Sequence, residues 1–154
     1  MAKMTETQAV EAIRRLTAEE EIKAVLMNCA KTVIVEVGEE LTGDRYTNSE
    51  KCYKKEYIAE LAASRIAHVF KQNAFLSLTV KEQVAELVKA DSKEVGGMLY
   101  FCDSEQDING IAFALGLNIK DYDSWYETAR AIAEKIHAIK SKEARTDYEE
   151  LCGD

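Results

Sequence analysis

Apolar residues recur every three or four positions along most of the chain, a period that predicts helices rather than strands. A first segment, near 7–16, carries Ala9, Val10, Ile13 and Leu16 behind Thr5 and Thr7. A second, near 18–41, aligns Ile22, Val25, Leu26, Cys29, Val33 and Val37 on one face. Thr17 and Glu20 stand there in the spacing of a capping box, and Gly38 or Gly43 supplies the stop. Val33, Val35 and Val37 also alternate as a strand would, but the helical period runs on from upstream and takes precedence.

A third helix is predicted near 49–72, opening from the turn formers Gly43, Asp44, Asn48 and Ser49 and burying Tyr53, Tyr57, Ile58, Leu61 and Ile66. Thr79 and Glu82 repeat the capping box for a fourth, near 80–90. Gly96-Gly97 is expected to break any helix, leaving Met98–Cys102 as either a buried turn or a lone strand. Ser104 and Asp107 cap a fifth helix, near 105–116. The sixth, near 124–148, has the clearest stripe: Trp125, Ala129, Ile132, Ala133, Ile136 and Ile139. The pattern predicts an all-α protein, a compact bundle of about six helices in one domain spanning 1–154.

Composition agrees. None of the 154 residues is proline, the residue least tolerated inside helices. Apolar residues at 47% and charged ones at 31% suit a folded chain rather than a disordered one. No secretory signal and no membrane-spanning run is visible, so a cytoplasmic protein without membrane contact is expected. Cys29, Cys52, Cys102 and Cys152 never form a C-x-x-C pair, and neither a metal nor a cofactor is predicted.

The formal charge is −8, which disfavours direct contact with nucleic acid. It is unevenly spread. Between Asp91 and Glu127 eight acids face two bases, whereas Thr42 to Leu78 carries six bases and four acids. The acidic stretch nominates Asp103, Glu105, Asp107, Asp121 and Asp123 as a partner-binding surface. Arg45, Tyr46, Lys51, Tyr53, Lys54 and Lys55 form a candidate basic and aromatic patch. A last helix extended through Tyr148 and Leu151 would outrun a small bundle, so those two residues are candidates for self-association into a homo-oligomer.

Three motifs in the acidic half carry candidate chemistry. Ile111–Leu117 followed by Trp125 and Glu127 resembles the centre of a helix-turn-helix, which would imply a DNA-binding regulator using 107–130. Its second helix, however, opens on Asp121-Tyr122-Asp123 instead of base-reading or basic residues. Glu105-x-Asp107-x-Asn109-Gly110 resembles the opening of an EF-hand loop, yet Gly116 stands where the bidentate glutamate belongs. Glu134 and His137 make one E-x-x-H, where a di-iron bundle needs two. No phosphate-binding loop or nucleophile elbow appears.

The expectation is therefore a non-enzymatic protein that binds a partner bearing a basic surface. In a sharper form its acids imitate nucleic acid, as in small acidic phage or mobile-element proteins that inhibit host defence nucleases. A small helical enzyme is the remaining alternative, should a histidine and a cysteine or carboxylate meet in the fold.

Overall fold

A computed structural model describes the backbone of residues 3–152 and the side chains of residues 3–143. The protein is all-α. Among the described residues the helices are α1 (Glu6–Ile13), α2 (Glu19–Leu26), α3 (Lys31–Thr42), α4 (Asn48–Lys51), α5 (Lys55–Leu76), α6 (Val80–Lys89), α7 (Ser92–Tyr100), α8 (Glu105–Ala114) and α9 (Trp125–Cys152). A 3-10 turn at Ile119–Asp121 precedes α9, and the one extended pairing among the described residues is a single bridge between Met4 and Cys29. No described helix is long and apolar enough to cross a membrane. The chain divides into two compact units, Met1–Asn73 and Ala74–Asp154, with the boundary in the last turn of α5.

In the first unit α1 packs on α2 and α3, and the core gathers Ile13, Ile22, Leu26, Ile34, Ile58 and Ile66, all fully buried. Thr5 caps α1 in a reciprocal box with Gln8, and Thr47 does the same for α4 with Glu50. Gly43 ends α3 in the left-handed region at φ 78°, as its sequence position suggests.

The segment 18–41 is two helices, not one. The break lies at Met27–Ala30, where the Met4 backbone N–H donates to the Asn28 carbonyl at 2.9 Å and so takes an acceptor that a continuing helix would use. The buried stripe accordingly jumps five places, from Cys29 to Ile34. Thr17 makes no cap; Ala18 occupies that position without a side-chain bond. The segment 49–72 is likewise divided, at Cys52–Lys54, between α4 and α5.

The second unit is built on α9, against which α6, α7 and α8 all pack. Leu87, Ile108, Ile111, Ile132 and Ile136 are its fully buried centre. The Thr79–Glu82 capping box opens α6, and buried Gln83 donates from Nε2 to the Phe75 carbonyl at 3.0 Å, satisfying an acceptor at the end of α5. Met98–Cys102 is not a strand, and Gly96-Gly97 does not break the chain. Asp91 caps α7 by accepting from the Glu94 N–H at 2.8 Å, and Val95 and Leu99, one turn apart, bury against the core and carry the helix through both glycines.

Candidate functional site

Four of the five predicted acids sit in or beside the first turns of α8 and the 3-10 segment, and Asp123 immediately precedes the N-cap of α9. Ser104 caps α8 by accepting from the Asp107 N–H at 3.2 Å, placing Glu105 and Asp107 in its first turn directly after Asp103. Ser124 accepts from the Glu127 N–H at 3.2 Å, while the Glu127 carboxylate accepts from the Asp123 N–H at 2.7 Å. Asn118 accepts from the Lys120 N–H at 3.1 Å and holds the 3-10 turn that carries Asp121. Carboxylates near helix N-termini are favoured by the backbone's partial positive charge, so this fold concentrates acid without much strain. All five are exposed.

Two of the five acids border a cavity of about 280 Å³. Glu105 and Asp123 line it, together with Asn109, Tyr122, Trp125 and buried Thr128. Asp103 and Asp107 act instead around Cys102, whose thiol is pushed up to about 11, first by burial and then by the charges of Asp107 and Asp103.

The cavity does not stand alone. Its Ile119 also borders a depression of about 320 Å³ formed with Phe113 and Leu117, where the Phe113 side chain is 83% exposed. Its Trp125 also borders a third depression, of about 260 Å³, with Tyr100, Tyr126 and Arg130. Trp125 lies 5.5 Å from the Tyr100 ring and edge-on to Tyr126 at 5.3 Å. Its indole is fixed by an Nε1–H bond to the Cys102 carbonyl at 2.8 Å. Acidic and exposed apolar surface are therefore continuous across the second unit, joined through Ile119 and Trp125.

The connection from α8 to α9 is made by Gly116, at φ 77°, and by the Leu117 N–H, which bonds the Ala112 carbonyl at 2.9 Å. It runs from Leu115 to Ser124, far longer than the three or four residues of a helix-turn-helix, and so removes the geometry that the motif implied. The EF-hand-like residues Glu105, Asp107 and Asn109 are part of α8 rather than a loop.

Of the residues in the predicted basic patch, one is not at the surface. Arg45, Lys51, Tyr53 and Lys54 are exposed and Lys55 is half-buried, but Tyr46 is a core residue at 4% exposure. Arg65 stacks over its ring at 4.8 Å and pairs with Glu50. Lys51 instead borders a depression on the flank of α3 with Lys31, Glu36 and Glu39. Tyr148 and Leu151 lie outside the described side chains.

Among the described residues no three His, Cys, Asp or Glu side chains converge to hold a metal ion. Cys29 and Cys102 are buried, and burial raises both thiols above their ordinary range, away from nucleophilic thiolate chemistry. Tyr100, Phe113, Ile119 and Tyr126 are exposed apolar residues that the sequence expectations do not include. The available signal was phase: Phe113 stands off the Ile108, Ile111 and Ala112 stripe, as Tyr126 stands off that of Ile132 and Ile136. Compared with family models, curated proteins and solved structures, the chain matches none.

Proposed function

We propose that the protein works by binding another protein through the acidic and apolar surface of its second unit. The observation that carries this reading is the continuity of the Glu105–Asp123 cavity with exposed Phe113 and Ile119 on one side and with the Trp125 aromatic cluster on the other. Protein interfaces combine apolar or aromatic anchors with a polar rim in this way, and the anchors dominate affinity while the charges set orientation and rate. The partner's chemistry follows from the charge. Sixteen acids against nine bases leave −7 on Ala74–Asp154, whereas twelve against eleven leave −1 on Met1–Asn73. The partner therefore presents lysines and arginines around an apolar centre.

In its sharper form this reading makes the carboxylates stand-ins for backbone phosphates and the partner a nuclease of host defence, supported by the local charge. The test is affinity capture with the native chain and with a variant carrying Asp103→Asn, Glu105→Gln, Asp107→Asn, Asp121→Asn and Asp123→Asn. A basic protein retained at low salt by the native chain, released at high salt and lost by the variant is the expected result. Equal retention by both chains would refute the acidic surface. DNA that competes for the same partner would favour the phosphate-mimic form, and a low-salt mobility shift of DNA by the protein itself would restore the DNA-binding alternative.

A further inference from the structure

We propose that the channel between α7 and α9 is a second docking groove, and that its occupant is an amphipathic helix whose apolar stripe is flanked by acidic residues. The groove begins at the Trp125 depression that also borders the acidic surface, but its selectivity is set by other residues, Arg130 and Lys140.

The groove is continuous and periodic. One depression, of about 260 Å³, and another, of about 300 Å³, meet at Ala133. On α7 the lining residues are Ser92, Val95, Gly96, Leu99 and Tyr100, steps of three and one that trace a single helix face. On α9 the lining runs from Trp125 through Ala129 and Ala133 to Lys140, about 22 Å at the rise of an α-helix and so the length of a partner helix of about fifteen residues.

A helix fits this groove better than a strand. Both walls are helices whose backbone groups are bonded internally, so an extended segment would find no ladder for its own N–H and C=O groups. A helix brings only side chains, and the floor of Gly96, Ala129 and Ala133 lets it approach closely. Gly96 is informative here. A β-carbon built on it meets nothing within 4 Å, and its φ is not in the left-handed region. Neither packing within the chain nor backbone conformation requires glycine at a place where it costs about 1 kcal/mol relative to alanine. What its bare α-carbon does is deepen the groove.

The ends of the groove specify the occupant. At one end Tyr100 and Tyr126, 62% and 69% exposed, flank Trp125 and offer aromatic anchors. Along the rim the charged groups among the described lining residues are Arg130 and Lys140 against a single carboxylate, Glu134. That balance selects acidic flanks on the incoming helix, the opposite of what the Glu105–Asp123 surface selects.

The test is calorimetric titration of the full chain with two synthetic helical peptides of about fifteen residues, sharing one leucine stripe and differing only in glutamate or lysine flanks. The glutamate peptide is expected to bind about tenfold more tightly, and Arg130→Glu with Lys140→Glu to reverse the order. Gly96→Leu, filling the floor, should abolish binding of both. Gly96→Ala should weaken binding while raising the melting temperature, a combination that a merely structural glycine would not show. Failure of both peptides to bind, equal binding of the two, or undiminished binding by Gly96→Leu would overturn the proposal. Capture of the basic partner is read on the carboxylate variant, which leaves Gly96, Arg130 and Lys140 unchanged, so the two readings fail separately although both surfaces border Trp125.

Discussion

The ring of Tyr46 rests directly on the bare α-carbon of Gly38: a β-carbon there would stand 2.8 Å from Cζ and 3.3 Å from Cε1. Arg65 stacks over the ring at 4.8 Å and pairs with Glu50, whose carboxylate in turn accepts from the Thr47 N–H at 2.8 Å. The contact therefore ties α3 to the capping box of α4 and to α5. Gly38→Ala gains about 1 kcal/mol of helix propensity but overpacks this contact at a cost of about 1–3 kcal/mol, so a net loss of stability is expected in urea titration. The Tyr46 hydroxyl is buried without a hydrogen-bond partner. Tyr46→Phe removes that unsatisfied group and is expected to be neutral or to stabilise by about 1 kcal/mol. The hydroxyl is also the atom closest to Gly38, so the double variant should lose less than the two single changes predict.

The first unit should become less stable as pH rises toward neutrality, contrary to the usual behaviour of capping carboxylates. A hydrogen bond to Glu40, then partial burial, then the charges of Glu40 and Glu36 raise Glu6 to about 6 from an ordinary 4.5. The folded state thus holds a proton that the unfolded chain has released, and the stability this gives is full below about 4.5 and lost as pH rises through about 6. Glu50 and Glu82 have the opposite sign: bonds from the Thr47 and Thr79 backbones, the largest influence on each, lower them, so their contribution fades only in acid. Thermal melts between those limits should show the melting temperature falling toward neutral pH in the native chain and nearly flat in Glu6→Gln. An unchanged slope in that variant would count against the carboxyl cluster.

The helices that were legible in the sequence are those whose signals are local. Thr79 and Glu82 open α6 with bonds that two residues three apart make by themselves, and the stripe from Trp125 to Ile136 needs only its own period. The local pattern misleads where a distant residue decides. The break at Asn28 depends on the Met4 N–H arriving from the start of the chain, although a short side chain that bonds back to the Ala24 carbonyl was a local hint. Gly96-Gly97 remains helical because Val95 and Leu99 are held by the second core, a tertiary gain larger than the intrinsic cost of two glycines. The acids of the candidate site were legible by charge. Their continuity with Phe113 and Trp125 was not, because it is created by folding the ten residues Leu115–Ser124 back between α8 and α9.

Thiol reactivity should follow burial. Cys52 is exposed beside α4, whereas Cys29 and Cys102 are fully buried and raised by desolvation. In the native state a disulfide reagent should label Cys52 rapidly and leave Cys29 and Cys102 unmodified until denaturant is added. Peptide mapping by mass spectrometry reads each site separately. Rapid native labelling of Cys102 would show that the connection holding Trp125 over its carbonyl opens readily.

That connection supplies the last prediction. Trp125 is the only tryptophan in the chain, and its Nε1–H bond to the Cys102 carbonyl joins the end of α7 to the start of α9 where the acidic cavity and the α7–α9 groove meet. Trp125→Phe keeps an aromatic ring between Tyr100 and Tyr126 but deletes the donor. With the carbonyl left unpaired, a loss of about 1–2 kcal/mol is expected, measured by circular dichroism because the variant has no indole to follow. In the native chain the same indole makes intrinsic fluorescence a direct reporter of the surface, and either docking event should shift its emission before any global unfolding. A Trp125→Phe variant with undiminished stability would show that the bond orients the ring without contributing to the fold, and the aromatic cluster would then have to be held in place by α7 and α9 alone.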